Sequence, residues 1–254
     1  HGLSVPAAAQ RLGERLTNQE FWKLSQDFSE QDGTFHSENL VSNEARFQTV
    51  MPALVKAAKP GRAYVGVGSE QNFTYIAALK PDIAFIVDIR RGNLDLHLMY
   101  KALFEMSADR ADFVSRLFSR KRPAGLTTTS TAAEIFAAYA LAAPSQALYD
   151  QNLKAINAHL VSTHGFGLSK GDLSGVEYVF DAMFTQGPYI RYQLTTGGGG
   201  GFGRGGGGGR AVGGTTYAYL MTATDDSGKN WSYLANEENL RFLKDLETRN
   251  MVIP

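Results

Sequence analysis

Ala63-Tyr-Val-Gly-Val-Gly-Ser-Glu-Gln-Asn72, continued by Phe73-Thr-Tyr-Ile-Ala-Ala-Leu-Lys-Pro-Asp82 and Ile83-Ala-Phe-Ile-Val-Asp-Ile-Arg-Arg91, reads as strand, glycine turn, helix, second strand and terminal carboxylate. An apolar strand that ends in Gly66-Val67-Gly68 lets a ligand approach the backbone where a side chain would block it. A helix that begins near Ser69 aims free N–H groups at the same place. Asp88 follows Gly68 by twenty residues, at the end of the next apolar run, where a carboxylate accepts hydrogen bonds from a ribose diol. The pattern predicts a parallel α/β sheet that holds an adenosine-type ligand.

Charge separates the possible ligands. A dinucleotide fingerprint asks for a third small residue and an open helix N-terminus for pyrophosphate. Here Gln71 takes the small position and Glu70 puts a carboxylate in the first turn. Two negative groups would compete for one helix end, which ranks S-adenosylmethionine, a sulfonium cation without phosphate, above NAD. Glu70 has an equally simple second reading as a complement to the helix dipole, with Ser69 as N-cap.

The stretches Asn39-Leu-Val-Ser-Asn-Glu44, Tyr64 to Tyr75 and Phe85-Ile-Val-Asp-Ile-Arg-Arg91 resemble a family of uncharacterised bacterial proteins with a class I methyltransferase-like fold. Leu117-Phe-Ser-Arg120, Tyr219 to Asp225 and Tyr233 to Asn239 extend the resemblance over most of the chain. It implies a Rossmann-like (class I methyltransferase-like) parallel sheet, S-adenosylmethionine as cofactor and an unidentified methyl acceptor. The cofactor-binding candidates are Gly66, Gly68, Glu70, Gln71, Asn72, Asp88 and Asn43, the last from an upstream segment that folds over the cofactor in such proteins. No catalytic residue is singled out. The general motif acidic-x-Gly-x-Gly-x-Gly is kept at Gly66 and Gly68 but has Tyr64 at the acidic position and Glu70 at the last glycine. Those departures favour, as the alternative, a non-catalytic ligand-sensing or interaction module.

At 254 residues and 43% hydrophobic, the chain is long enough for one α/β domain with an elaboration. Twenty-five basic and twenty-five acidic residues leave no overall field to attract nucleic acid or an anionic membrane. The absence of cysteine excludes disulfides, thiolate metal sites and a cysteine nucleophile. No apolar run approaches the roughly 20 residues of a membrane helix. His1 in place of an initiator methionine fits a cytoplasmic protein cut at that point as well as an exported one that has lost a signal. Met251-Val-Ile-Pro254, directly after an amphipathic helix, reads as the start of a further parallel strand, as if the chain were truncated within its sheet.

Around this core, residues 1–60 are expected to form a helical segment packed on a 61–254 domain. Within the first part, Thr17 to Asp27 has helical spacing, and Asn43 is placed to cap a helix to about Lys59 that Pro52 kinks or splits. Leu96, Met99, Leu103 and Met106 make the core stripe of a helix from about Leu94. Residues of about 108–185 read as a helical insertion that covers the site. Tyr189 to Tyr192 reads as a short strand. Between Gly197 and Gly214 lie 13 of the chain's 27 glycines, which marks 195–216 as a flexible loop. Its two arginines are too few for an RNA-binding tract. Asn236 to about Arg249 forms a last helix.

His159 and His164 are five apart, about 140° round an α-helix, so they are read as surface or core residues rather than as a ligand pair. Asp225, Asn230 and Tyr233 are placed on the far wall of the pocket.

Overall fold

A computed structural model describes residues 14–192, apart from 31, 34 and 60, and residues 215–254. The central element is a three-stranded parallel sheet of β1 (Ala63–Val67), β2 (Ile83–Val87) and β3 (Val252–Ile253), in that order. Val65 pairs with Phe85 and Gly66 with Ile86, while Ala84 and Phe85 pair with Val252 and Ile253. The expected β-α-β unit is therefore present, joined by α3 (Gln71–Leu79), and the last apolar run is the third strand.

Helices occupy the rest. They are α1 (Asn18–Asp27), α2 (Met51–Ala57), α4 (Arg91–Met106), α5 (Arg110–Phe118), α6 (Ala132–Leu141), α7 (Gln146–Ala158), α8 (Lys170–Gln186), α9 (Tyr217–Thr222) and α10 (Glu237–Thr248). Their starts follow local chemistry. Thr17 and Glu20, Thr131 and Glu134, and Ser169 and Asp172 form reciprocal capping boxes for α1, α6 and α8. Asn236 caps α10, and Glu237 and Glu238 complement its dipole.

Two expectations change in this region. The helix expected from Asn43 is split into a 3-10 turn, Phe47–Val50, and α2, because Pro52 has no N–H to give and sits in the first turn of α2 instead. Asn43 itself is exposed and caps nothing. Tyr189 to Tyr192 is a 3-10 turn, Gly187–Tyr189, followed by a single bridge from Arg191 to Thr216, not a sheet strand. Of the glycine-rich loop, 195–214 lies outside the described residues.

The core is organised around α4, in which all twelve residues from Asn93 to Phe104 are buried. The stripe of Leu96, Met99 and Leu103 was legible, but α8 and α10 also cover the other sides. The helical stretch α5 to α8 thus forms a layer against α4 and lines no part of the cleft described below. Among the described residues, part of one sheet face is left bare. Val65, Val67 and Val87, on the same side of paired strands, are half to two-thirds exposed.

α7 ends in a π-helical turn, His159–Thr163, where the His164 N–H donates to the His159 carbonyl at 3.0 Å. A π turn holds residues five apart on one side. The two imidazoles therefore meet, with ring centroids 5.0 Å apart, which overturns the angle deduced for a regular α-helix.

Phe73 joins α3 to this core. It is fully buried and meets His97, Tyr100, Phe104 and Tyr233 edge-on, with centroids 4.9–5.5 Å away. Replacement by alanine leaves a cavity that four rings cannot close. The expected loss is about 3–5 kcal/mol of unfolding free energy, measured by urea denaturation of Phe73→Ala against the parent.

Candidate functional site

The turn between β1 and α3 is held by side chains of its own helix. Asn72 donates through Nδ2 to the carbonyls of Val67 (3.1 Å) and Ser69 (2.8 Å). Its Oδ1 accepts the Tyr64 hydroxyl at 2.8 Å. Gln71 donates to Val67 O at 3.1 Å and accepts from Ser69 Oγ. A Cβ at Gly66 would lie 2.0 Å from Asn72 Oδ1 and 2.5 Å from the Tyr64 hydroxyl. The missing side chain thus makes room for protein, and the space above Gly66 is filled.

Gly68 has φ +86°, a conformation that L side chains rarely adopt. Its amide donates to Val87 O, and its carbonyl accepts from His97 Nε2 at 2.9 Å. Burial pushes His97 down to about 4, so the ring is neutral and carries its proton on Nε2. Asn39, from the upstream segment, lies over Gly68.

Glu70 occupies the N-cap position of α3, one residue past the expected Ser69, and makes no side-chain cap. Its fully buried carboxylate turns to the upstream segment, where both oxygens accept the Ser42 amide at 3.1 Å. Burial raises it to about 7, against the hydrogen bonds from Ser42 and Ser69. Gly66, Gly68, Glu70, Gln71 and Asn72 are all engaged by protein, as the departures at Tyr64 and Glu70 foreshadow.

Open space lies one strand further on. A cleft of about 570 Å³ sits outside the carboxyl ends of β2 and β3, bordered by Asp88, Asn93, Phe28, Asp32 and Pro254. Its volume falls within the range of about 300–1,000 Å³ usual for small-molecule sites, and its position is where ligands bind in open α/β sheets. Of the seven residues expected to bind cofactor, Asp88 alone lines it.

The two arginines of the cleft are already paired. Asp88 Oδ1 accepts the Arg90 amide and Nε at 3.0 Å, and Oδ2 accepts Nη2 at 2.9 Å. Arg90 Nη1 also donates to the carbonyls of Ser37 and Glu38, which straps the upstream segment to the end of β2. Arg91 holds Asp172 of α8 through Nε (3.0 Å) and Nη2 (2.8 Å). Asp32 Oδ1 accepts the Arg91 amide at 2.7 Å and occupies the N-terminus of α4. Asn93, 3% exposed, has no hydrogen-bond partner for Oδ1 among the described residues.

Asp32 and Asn93 carry no local signal. Asp32 reaches its helix end across 59 residues. The cluster of Asp225, Asn230 and Tyr233 is elsewhere. Asp225 accepts from Ser227, Lys229 and Trp231, Asn230 donates to Met221 O, and Tyr233 shares a buried hydroxyl contact with Tyr217.

Residues 39–164 match the family described as "Domain of unknown function (DUF7790)". No curated protein matches the chain. The matched segment contains β1, α3, β2 and α4, with the glycine turn and Asp88 among them.

Glu70 gives stability a pH dependence. Its folded value of about 7 exceeds the ordinary 4.5, so between those limits the native state keeps a proton that the unfolded chain has released. Its contribution is complete below about 4.5 and is lost as pH rises through 7, by roughly 3 kcal/mol in all. The urea midpoint of the parent should fall between pH 5 and pH 8 more steeply than that of Glu70→Gln, and parallel slopes would refute the assignment.

Proposed function

We propose that the chain is a Rossmann-like domain that binds a nucleoside-type ligand without phosphate, of the S-adenosylmethionine class, in the cleft at the end of β2. The observation that carries this reading is the polarity of the cleft wall. Asp88 retains roughly one acceptor position beyond its three bonds to Arg90, and Asn93 Oδ1, buried in the wall, has no partner among the described residues. Both ask for donors, such as ribose hydroxyls or an amine. The groups that would welcome phosphate are taken: the α4 N-terminus by Asp32, and the two guanidinium groups by Asp88 and Asp172. A dinucleotide would have to displace a carboxylate from a helix end. Neutral and cationic ligands meet no such obstacle.

Transfer of the methyl group to an acceptor is the activity this reading entails. Such transfer needs chiefly proximity and in-line alignment, and no base at a fixed position is required of the chain.

The second reading is a non-catalytic interaction module. It is favoured by the filled space over Gly66 and by the bare apolar face of Val65, Val67 and Val87, since parallel sheets are ordinarily covered on both faces.

Calorimetry with S-adenosylmethionine, its demethylated product and NAD separates the possibilities. The first two are expected to bind with 1:1 stoichiometry and NAD more weakly, and Asp88→Asn should weaken binding about tenfold, or 1.4 kcal/mol. Binding of neither sulfur compound would leave the interaction module. Transfer of a labelled methyl group to a component of a cell extract tests the activity itself.

A further inference from the structure

Glu105, His159 and His164 converge at the far end of α4, about 21 Å along the helix from the cleft at Arg91, so nothing here depends on the ligand proposed for that cleft. His159 Nε2 lies 2.6 Å and His164 Nε2 2.7 Å from the same oxygen, Glu105 Oε2. The other oxygen, Oε1, is held by the buried Lys101 ammonium at 2.8 Å. One ligand atom from each of the three residues lies within 4.8 Å of the others.

The surrounding hydrogen bonds fix where the His164 proton sits. The Leu16 carbonyl only accepts, so the Asn250 atom 2.9 Å from it is the donor Nδ2. That nitrogen also donates to Asn18 Oδ1 at 3.0 Å, which makes the Asn18 atom an acceptor. His164 Nδ1, 3.0 Å from Asn18 Oδ1, therefore donates. In the neutral ring its Nε2 then presents a lone pair to a carboxylate oxygen at 2.7 Å. Two acceptors at that distance need a positive charge between them.

We propose that this charge is a divalent cation of the zinc class, bound by Glu105 Oε2, His159 Nε2 and His164 Nε2. Two imidazoles and one carboxylate are a donor set that suits zinc, with bonds of about 2.0–2.2 Å. Around a tetrahedral ion such donors stand roughly 3.3 Å apart, so the side chains open by about half an ångström to admit it. Asn18 is the outer partner that sets tautomer and ring orientation, a role that metal-bound histidines regularly require. Lys101 keeps Oε1 occupied and leaves Oε2 to the ion, and Glu247 is buried beside Lys101. Three protein ligands leave a fourth position on the side where His159 is 18% exposed. The ion joins α4 to the π turn after α7, and His164 links that turn to Asn18 of α1.

The protein, stripped with a chelator and titrated with Zn²⁺ at neutral pH, should bind one equivalent and melt at a higher temperature. His159→Gln, at the solvent edge, should weaken binding about tenfold or more while circular dichroism stays native, and His164→Gln should do the same. Trp22 stacks on Phe166 at 5.4 Å, and Phe166 on His164 at 4.8 Å. In a Trp231→Phe background, Co²⁺ should therefore quench Trp22 and develop visible d–d bands, both lost with His159→Gln. The proposal fails if no equivalent of Zn²⁺ binds and the side-chain ¹⁵N shifts show His164 as an imidazolium, the charge then being a proton. It fails equally if binding is unchanged in both histidine variants.

Discussion

A helix buried on every side must either find partners inside the protein for the polar groups it carries or keep them uncharged, and α4 is such a helix. Asn93, Asp95, His97 and Lys101 all lie within its buried run. His97 donates to the Gly68 carbonyl, and Lys101 reaches Glu105, Glu247 and the Glu247 carbonyl. Asp95 rests against Gly175 of α8, where a Cβ would come within 2.0 Å of its carboxylate. Burial and the neighbouring Asp172 raise Asp95 to about 7. An unpaired buried carboxylate costs several kcal/mol as an anion and avoids that cost by keeping its proton. The position of α8, the glycine turn and the end of α10 all follow from these obligations.

The same constraint explains the glycine turn. His97 on α4 needs an acceptor, and the Gly68 carbonyl is turned to it by a backbone at φ +86°. Gly66 admits Asn72 and Tyr64, whose hydrogen bond closes the strand onto α3. A sequence pattern of two glycines around one residue reports only that backbone must be approached closely. A cofactor and a neighbouring side chain satisfy that requirement equally well, and here side chains meet it.

Much of the framework was legible because its signals are local. The β-α-β unit, the last helix from Asn236 and the closing strand follow from periodicity and capping within a few residues. The misreadings share a cause in distance. His97 and Lys101 drew no reading, since their partners, Gly68 and Glu247, are remote in sequence. Asp88 was found, but its guanidinium partner two residues on also clamps Ser37 and Glu38, which no spacing rule encodes. The histidine pair was missed because 100° per residue was assumed where the backbone takes a π turn.

The two ends of α4 differ in a way its dipole makes intelligible. At the amino end the partial positive charge is met by Asp32, which is why that end no longer invites an anion. At the carboxyl end Glu105 is of the wrong sign for the last turn, and α4 has no basic residue there to offset it. Lys101, one turn earlier, stands in the less favourable order for a pair four residues apart. Burial works against the Glu105 charge, yet His159, His164 and Lys101 hold the carboxyl well below its usual range. A carboxylate so placed persists only where partners are brought to it from other elements, and the π turn after α7 delivers both imidazoles to the same oxygen.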